Sequence, residues 1–176
     1  MIGEPVVDLR PLDRALARAD ALPLAELAED LTAAWQPDLG DDAANEWLTR
    51  PAILRRIAGL LADSIPADVD RVIVTGGGCQ VLGAAVSLTT GLPFAAIESA
   101  EGPVFGTIHG GETVSVVSAV TPLAGDLDTR FARERLVVSG RQVVVDVSSD
   151  PRPDVRALFR VDSAGVIVPR KDADHD

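Results

Sequence analysis

Hydrophobic residues in the first third of the chain recur at the spacing of helices. They fall three and four residues apart from Leu24 to Trp35, and a second such stripe runs from Pro51 to about Ser64. A short helix over LDRALARA comes before both, and Thr49 is the candidate cap of the third helix. The pattern predicts an N-terminal layer of three helices, in which Trp35 and Trp47 pack against the core.

From Arg71 onwards the apolar residues form short β-branched runs, which are typical of buried strands. These runs alternate with helical segments, so we expect an α/β fold with a mostly parallel central sheet flanked by helices. The strands predicted for the centre of that sheet are Arg71–Thr75, Pro93–Glu98, Thr113–Ser118 and Gln142–Val147.

The segments between these strands carry their own signals. QVLGAAVSLTT predicts a helix that Gly91 ends, and Leu127 to Val138 predicts another helix that Gly140 ends. PVFGTI and ETVSVVS flank HGG and fit a hairpin. ALFRV and GVIV, joined by DSA, predict a C-terminal closing hairpin.

The length of 176 residues fits a single domain over residues 1–170, followed by a polar tail over 171–176. No apolar run reaches the length of a membrane span, and the first residues lack the features of a signal peptide, so we expect a cytoplasmic protein. The single cysteine excludes a disulfide framework and a multi-thiolate zinc site.

Charge narrows the range of partners. The net charge is −11, and no lysine or arginine occurs between Val72 and Thr129. Nucleic-acid binding requires a basic surface that displaces counterions from phosphates. We therefore expect no nucleic-acid partner, and we expect no membrane partner either.

The most informative segment is the glycine-rich loop, which we define as Thr75, Gly76, Gly77, Gly78, Cys79 and Gln80. It joins a buried strand to a helix, and consecutive glycines let backbone amides converge on an anion beside the positive end of that helix. The alternative is a tight strand–helix turn without a ligand. The spacing is not that of a dinucleotide-binding G-x-G-x-x-G, and the Lys-Ser/Thr of a P-loop is missing.

DVDRVIVTGGGCQVLGAAVSLTTGLPFAAIES resembles the core of type I phosphoribosyltransferases, above all the orotate phosphoribosyltransferase branch. The helix RPAILRRIAGLLADSI is placed as in the orotate enzymes, and GETVSVVSAVTPLAGDL resembles the strand and loop that hold phosphoribosyl pyrophosphate. The resemblance covers roughly Pro51 to Val147. It implies a phosphoribosyltransferase-like fold in which the glycine-rich loop binds pyrophosphate.

The residues that the resemblance would assign to the sugar loop depart from the family pattern. The family has two adjacent acids that hold the ribose hydroxyls, where this chain has Ser118 and Ala119. The 5′-phosphate turn reads PLAGD, in which Pro122 lacks an amide donor and Asp126 repels phosphate. The degenerate sugar loop comprises Ser118, Ala119, Thr121 and Gly125.

The family's mobile loop carries basic residues, whereas the matching stretch here, ESAEGPVFGTIHGGE, is short and acidic. Positive charge is what stabilises a departing pyrophosphate. Arginines from outside this stretch would have to rebuild such a site, and the candidates are Arg50, Arg55, Arg56 and Arg130.

Cys79 stands at the start of a predicted helix, where the helix dipole can lower a thiol pKa. A nucleophile also needs a base, and outside the tail the candidate base is His109. A small buried residue at position 79 and a hairpin-turn histidine are the favoured interpretation.

Three functions remain open. The first is a non-catalytic phosphoribosyltransferase-like protein that binds a nucleotide or phosphorylated metabolite, with no catalytic residue, cofactor or metal. The second is an active orotate-type phosphoribosyltransferase of nucleotide metabolism with an atypical site, and only this function calls for Mg²⁺. The third is a structural partner that forms a homodimer or binds a true family member. Fold likeness alone does not decide among them.

Overall fold

The computed structural model describes residues 24–121, 127–150 and 152–170. Strands within these ranges form a seven-stranded sheet in the order β3-β2-β1-β4-β5-β6-β7. The strands are β1 (Arg71–Thr75), β2 (Phe94–Ile97), β3 (Val104–Phe105), β4 (Thr113–Val120), β5 (Val137–Asp146), β6 (Arg156–Val161) and β7 (Ile167–Pro169).

The centre of the sheet is parallel, as predicted. The strands β2, β1, β4, β5 and β6 pair in parallel with their neighbours, and the short strands β3 and β7 are antiparallel edges. All five residues of β1 are buried, because helices cover both faces of the sheet at its centre. The closing hairpin of β6 and β7 is also confirmed.

Helices form the layers on either side. They are α1 (residues 24–33), a 3₁₀ turn (Pro37–Asp42), α2 (Asn45–Leu48), α3 (Pro51–Ser64), α4 (Cys79–Thr90) and α5 (Leu127–Arg133). Residues of α1 to α4 pack into one large core on one face, whereas α5 packs into a separate core on the other. No helix within the described ranges combines the length and apolar character needed to cross a membrane.

The N-terminal helical layer is confirmed over the described residues. Trp47 is fully buried, its ring nitrogen donates to the Leu31 carbonyl at 3.0 Å, and its ring stacks on that of Trp35 at 5.3 Å. The two tryptophans thus join α1 and α2 to the core. The helix predicted over LDRALARA and the tail over 171–176 lie outside the described residues.

Two predicted boundaries in the helical part need adjustment. Thr49 does not cap α3: it is the C-cap of α2, and its hydroxyl donates to the Glu46 carbonyl at 3.0 Å. Arg50 is the N-cap of α3 and makes no side-chain cap. The start of α3 instead depends on Pro51, whose missing amide costs nothing at that position.

The hairpin predicted from PVFGTI and ETVSVVS is wrong. β3 pairs with β2, and β4 lies between β1 and β5 in parallel with both. Six consecutive residues of β4 are buried, which is the pattern of a central parallel strand and not of a half-exposed hairpin strand. His109 therefore lies in a crossing loop between β3 and β4.

The helix predicted to continue to Val138 ends at Arg133. Arg135 adopts a φ of 59°, and the amides of Arg135 and Leu136 donate to the carbonyls of Ala132 and Phe131. This is a Schellman end formed without glycine. Gly140, the predicted stop, lies inside β5 at a register shift against β4, where glycine accommodates a bulge.

Candidate ligand-binding site

The site lies where the chain changes direction across the sheet. After β1 the chain crosses through α4 to β2 on one side, and after β4 it crosses through α5 to β5 on the other side. The helices lie on opposite faces, so the direction of the chain reverses between the ends of β1 and β4, which is the position of the ligand crevice in open α/β sheets. Parallel α/β sheets bind ligands in this kind of crevice.

The strand register brings the two sequence motifs together at this crevice. Thr75 and Ser118 are paired at the ends of β1 and β4. A Cβ added to Gly76 would lie 3.7 Å from the Ser118 hydroxyl oxygen. The glycine-rich loop thus adjoins Ser118, whereas Ala119 is buried in the core and Thr121 bonds Asp146 at the end of β5. Gly125 and its neighbours at 122–126 lie outside the described residues.

The glycines of the loop have different surroundings. Gly76 and Gly78 have φ angles of +87° and +66°, which explains why residues without a side chain stand there. A Cβ on Gly76 would make only an ordinary van der Waals contact, whereas a Cβ on Gly78 would lie 2.5 Å from Leu48 Cδ1 in α2. Gly78 is therefore needed for packing, and Gly76 leaves room at the crevice.

The loop also uses one of the amides predicted to bind an anion. The Cys79 amide donates to the Gly76 carbonyl at 3.3 Å, which closes the turn before α4. It is therefore not directed at a ligand. A role for the amides of Gly76, Gly77, Gly78 and Gln80 stays a prediction.

Cys79 does not have the environment of a nucleophile. It is 1% exposed, and its pKa is raised by burial and, further, by the negative charge of Glu98. Its predicted partner His109 precedes β4 and lies at the opposite edge of the sheet from the end of β1, because the two strands are parallel. The small buried residue predicted as the favoured interpretation of Cys79 is confirmed.

The end of β4 offers no acid to a sugar or a metal. The Ser118 hydroxyl donates to the Val120 carbonyl at 2.8 Å, and Ala119 is buried in the core. Nor does any group of three or more acidic, histidine or cysteine side chains suited to a metal occur in the part of the chain that the structure describes. The residues present at the end of β4 do not fit Mg²⁺.

Arg130, one of the four candidate arginines, contacts the loop after β2. Arg130 projects from α5, is 8% exposed, and donates from Nη1 to the carbonyls of Ser99, Ala100 and Gly102 in the loop after β2. Arg50 and Arg56 pair with Glu46 and Asp30 on the N-terminal helices, and Arg55 is exposed on α3.

Sequence reasoning missed a second polar cluster next to the site. Asp146, at the end of β5, accepts hydrogen bonds from the Thr121 hydroxyl at 2.8 Å and from the Ser148 amide and hydroxyl. Burial raises its pKa, but these hydrogen bonds outweigh burial and leave the pKa lowered. An aspartate at the end of a predicted strand was the available signal. Asp146 also lines a cavity of about 990 Å³ beyond the ends of β5 and β6.

Several solved structures have a fold similar to that of this chain. The chain is similar to orotate phosphoribosyltransferase of Mycobacterium tuberculosis H37Rv in complex with 5-phospho-α-D-ribosyl 1-diphosphate, with a TM-score of 0.64 and 17% identity over 78% of this chain and 89% of that one. Adenine phosphoribosyltransferase from Rhodothermus marinus gives a TM-score of 0.53 and 13% identity over 65% and 83%.

The UMP synthase of Leishmania donovani gives a TM-score of 0.61 and 17% identity over 89% of this chain, which spans 41% of that protein. No protein-family model and no curated protein sequence matches the chain. The chain therefore has the type I phosphoribosyltransferase fold.

Proposed function

We propose that this phosphoribosyltransferase-like protein has lost classical ribosyl-phosphate transfer and binds a nucleotide or phosphorylated metabolite in the crevice between β1 and β4. The observation that carries the loss is the pair Ser118 and Ala119. The Ser118 hydroxyl donates a hydrogen bond to the Val120 carbonyl of the same strand, and Ala119 is buried and has no polar side-chain group. Neither holds a ribose hydroxyl or a metal.

Two observations support a phosphate-bearing ligand. Gly76 leaves the crevice side of the glycine-rich loop open, and the loop leads into α4, whose N-terminal end carries partial positive charge. The M. tuberculosis orotate phosphoribosyltransferase, which has the same fold, has been seen with 5-phospho-α-D-ribosyl 1-diphosphate and with inorganic phosphate.

The charge around the loop opposes tight binding. Glu98 is near enough to raise the pKa of Cys79, so it also repels an anion at the start of α4. We expect binding that is weak and that salt screens readily.

A phosphate titration followed by amide NMR tests this proposal. The amides of residues 75–81 should shift in the wild type, and Gly77→Asp should abolish the shifts by placing a carboxylate in the loop. Gly59→Asp is the matched control, because it adds the same charge in open space on α3. Absence of wild-type shifts at tens of millimolar phosphate, a very weak site, would show that the loop is only a turn.

The alternative function is an active orotate-type phosphoribosyltransferase with an atypical site. It predicts transfer when the purified protein is incubated with phosphoribosyl pyrophosphate, Mg²⁺ and orotate. We expect no product under these conditions. Detectable transfer to orotate or another base would overturn the loss of activity.

We also propose that the protein forms a homodimer through α4. This helix has no charged residue, and its outer face exposes Val81 and Leu88, the latter 89% exposed. An uncharged helix face that exposes large apolar side chains is typical of an interaction surface. An uncharged patch can meet its own copy across a two-fold axis despite the net charge of −11, since no like charges are brought together.

Sedimentation at micromolar concentration tests the dimer. The wild type should sediment as a dimer and Leu88→Glu as a monomer, while Leu39→Glu, at another exposed leucine on the 3₁₀ turn, should leave the dimer intact. A monomeric wild type contradicts the proposal. A monomer that dimerises only with a true phosphoribosyltransferase would instead favour the heteromeric partner.

A further inference from the structure

Arg130 is a buried cation that has no carboxylate partner in the part of the chain that the structure describes. It is 8% exposed, and among the described residues no acid forms an ion pair with it. A guanidinium is always charged, and burying an unpaired charge is costly. The three carbonyls that accept from Nη1 offset part of this cost with their dipoles.

The position of Arg130 follows from the strand order. β1 lies between β2 and β4, and Thr75, Ile97 and Ser118 are level at the ends of the three strands. Arg130 starts from the helix after β4 and reaches the loop after β2. These contacts place its guanidinium on the face of the sheet that α5 covers, near the ends of β2 and β1.

One edge of the guanidinium has no acceptor among the residues that the structure describes. All three hydrogen bonds to described residues come from Nη1, and Nε is buried without a partner there. Nε and Nη2 together form the forked edge that binds two oxygens of a carboxylate or phosphate at once. A buried donor without an acceptor is unfavourable, so an oxygen ligand at this edge would stabilise the site.

We propose that Arg130 is the cationic contact of the ligand and binds two oxygens of its phosphate group through Nε and Nη2. This inference rests on the proposed function, because it places the phosphate in the same crevice. Arg130 directly follows the stretch from Val72 to Thr129, which contains no lysine or arginine. Arg130 thereby supplies the positive charge that is absent from the acidic loop after β2.

The test is a titration of wild-type protein with inorganic phosphate, followed through the Nε–Hε signal of Arg130. Sodium chloride at matched ionic strength is the salt control. The signal should move with phosphate and not with chloride. Arg130→Lys, which keeps a charge and donors for the carbonyls but lacks the forked edge, should raise the phosphate Kd about tenfold.

Arg133→Lys is the matched control, since Arg133 is exposed on the same helix and the same substitution there should leave the Kd unchanged. If the amides of residues 75–81 shift while the Arg130 signal stays, Arg130 is not the contact and the proposed function stands. If only the Arg130 signal moves, the glycine-rich loop is not the site. If neither moves, or if chloride gives the same shifts, both proposals fail. The wild-type signal decides even where Arg130→Lys fails to fold.

Discussion

The two edges of the central sheet each hold a buried arginine in a different state. At the edge where β1 begins, Arg71 is 9% exposed and donates from Nε and Nη2 to both oxygens of Glu112 at 2.9 Å. At the edge where β1 ends, Arg130 is 8% exposed and donates to backbone carbonyls, among the described residues from Nη1 only. The forked edge of Arg71 is occupied by a carboxylate, whereas that of Arg130 has no acceptor within the described ranges.

This difference separates a structural role from a binding role. Glu112 also accepts the amide of His109, so the Arg71 cluster is closed within the protein and joins the crossing loop to the sheet. Buried polar groups are normally satisfied in this way. The Arg130 end keeps an unpartnered Nε and an unpartnered Thr75 hydroxyl, counted among the described residues, next to the crevice. Two of the four buried side-chain atoms that lack a hydrogen-bond partner among the described residues lie at this edge, and the other two, Ser115 Oγ and Gln142 Oε1, lie in β4 and β5.

The largest expected effect is on the free energy of unfolding, when each of the two arginines is replaced by methionine in a separate variant. Arg71→Met should lower the free energy of unfolding by about 3 kcal/mol, because it leaves Glu112 partly buried without its partner. Arg130→Met should cost about 1 kcal/mol, since the freed carbonyls lie in a partly exposed loop that water can reach. Urea unfolding of both variants measures the difference, and equal losses would contradict the comparison.

A smaller effect is expected from two glycines at the site edge. Gly78→Ala should destabilise by about 2 kcal/mol, because its Cβ meets Leu48 and its φ is positive. Gly76→Ala should cost about 1 kcal/mol for its positive φ alone, yet weaken phosphate binding more than Gly78→Ala does. Unfolding and phosphate titrations of both variants are needed, and the reverse order of binding losses would place the ligand elsewhere.

The stabilisation by the Arg71–Glu112 ion pair should depend on pH. The hydrogen bond from Arg71 lowers the folded pKa of Glu112, while the unfolded value stays near about 4.3. The stabilisation is therefore complete above the unfolded pKa and is lost as pH falls through the folded pKa. The stability gap between wild type and Glu112→Gln, about 1 kcal/mol at pH 7, should shrink below about pH 4. Glu101→Gln, in an exposed loop, should give a flat profile, and a gap that widens in acid would refute the assignment.

The smallest effect concerns Glu98. Its charge contributes to the raised pKa of Cys79, so Glu98→Gln should lower that pKa and strengthen phosphate binding about twofold. A carbon NMR titration of Cys79 and a phosphate titration check the two parts. The same change at Glu101 serves as the control. An unchanged Kd would show that Glu98 does not face the ligand.

Local hydrophobic patterns were sufficient for most of the fold. Three elements were visible as apolar patterns: β1 at Arg71–Thr75, the second half of β5, predicted at Gln142–Val147, and α3 at Pro51–Ser64. A strand buried on both faces is apolar throughout, and a helix buried on one face has an apolar stripe. The partner of β3 could not be predicted, since pairing across the sheet depends on residues distant in the chain. The end of α5 was missed because Arg135 takes the left-handed position that usually indicates glycine.

The site was predicted only in part, for a related reason. The glycine-rich loop was visible because its residues are contiguous, and the loss of the two acids was visible by resemblance. Arg130 was one of four arginines with equal claims in the sequence. Its distinction comes from contacts with carbonyls about thirty residues earlier in the chain, which no local pattern records.

The hydrogen bonds from Arg130 to the loop after β2 have a thermodynamic consequence. The same side chain holds Ser99, Ala100 and Gly102 and, as proposed, the ligand. Ordering of the loop and occupancy of the crevice are then linked, and such linkage is reciprocal. Whatever factor the bound phosphate adds to the population of the ordered loop, ordering the loop must add to the affinity for phosphate. A partner protein that grips this loop from outside would therefore tune ligand binding without touching the ligand.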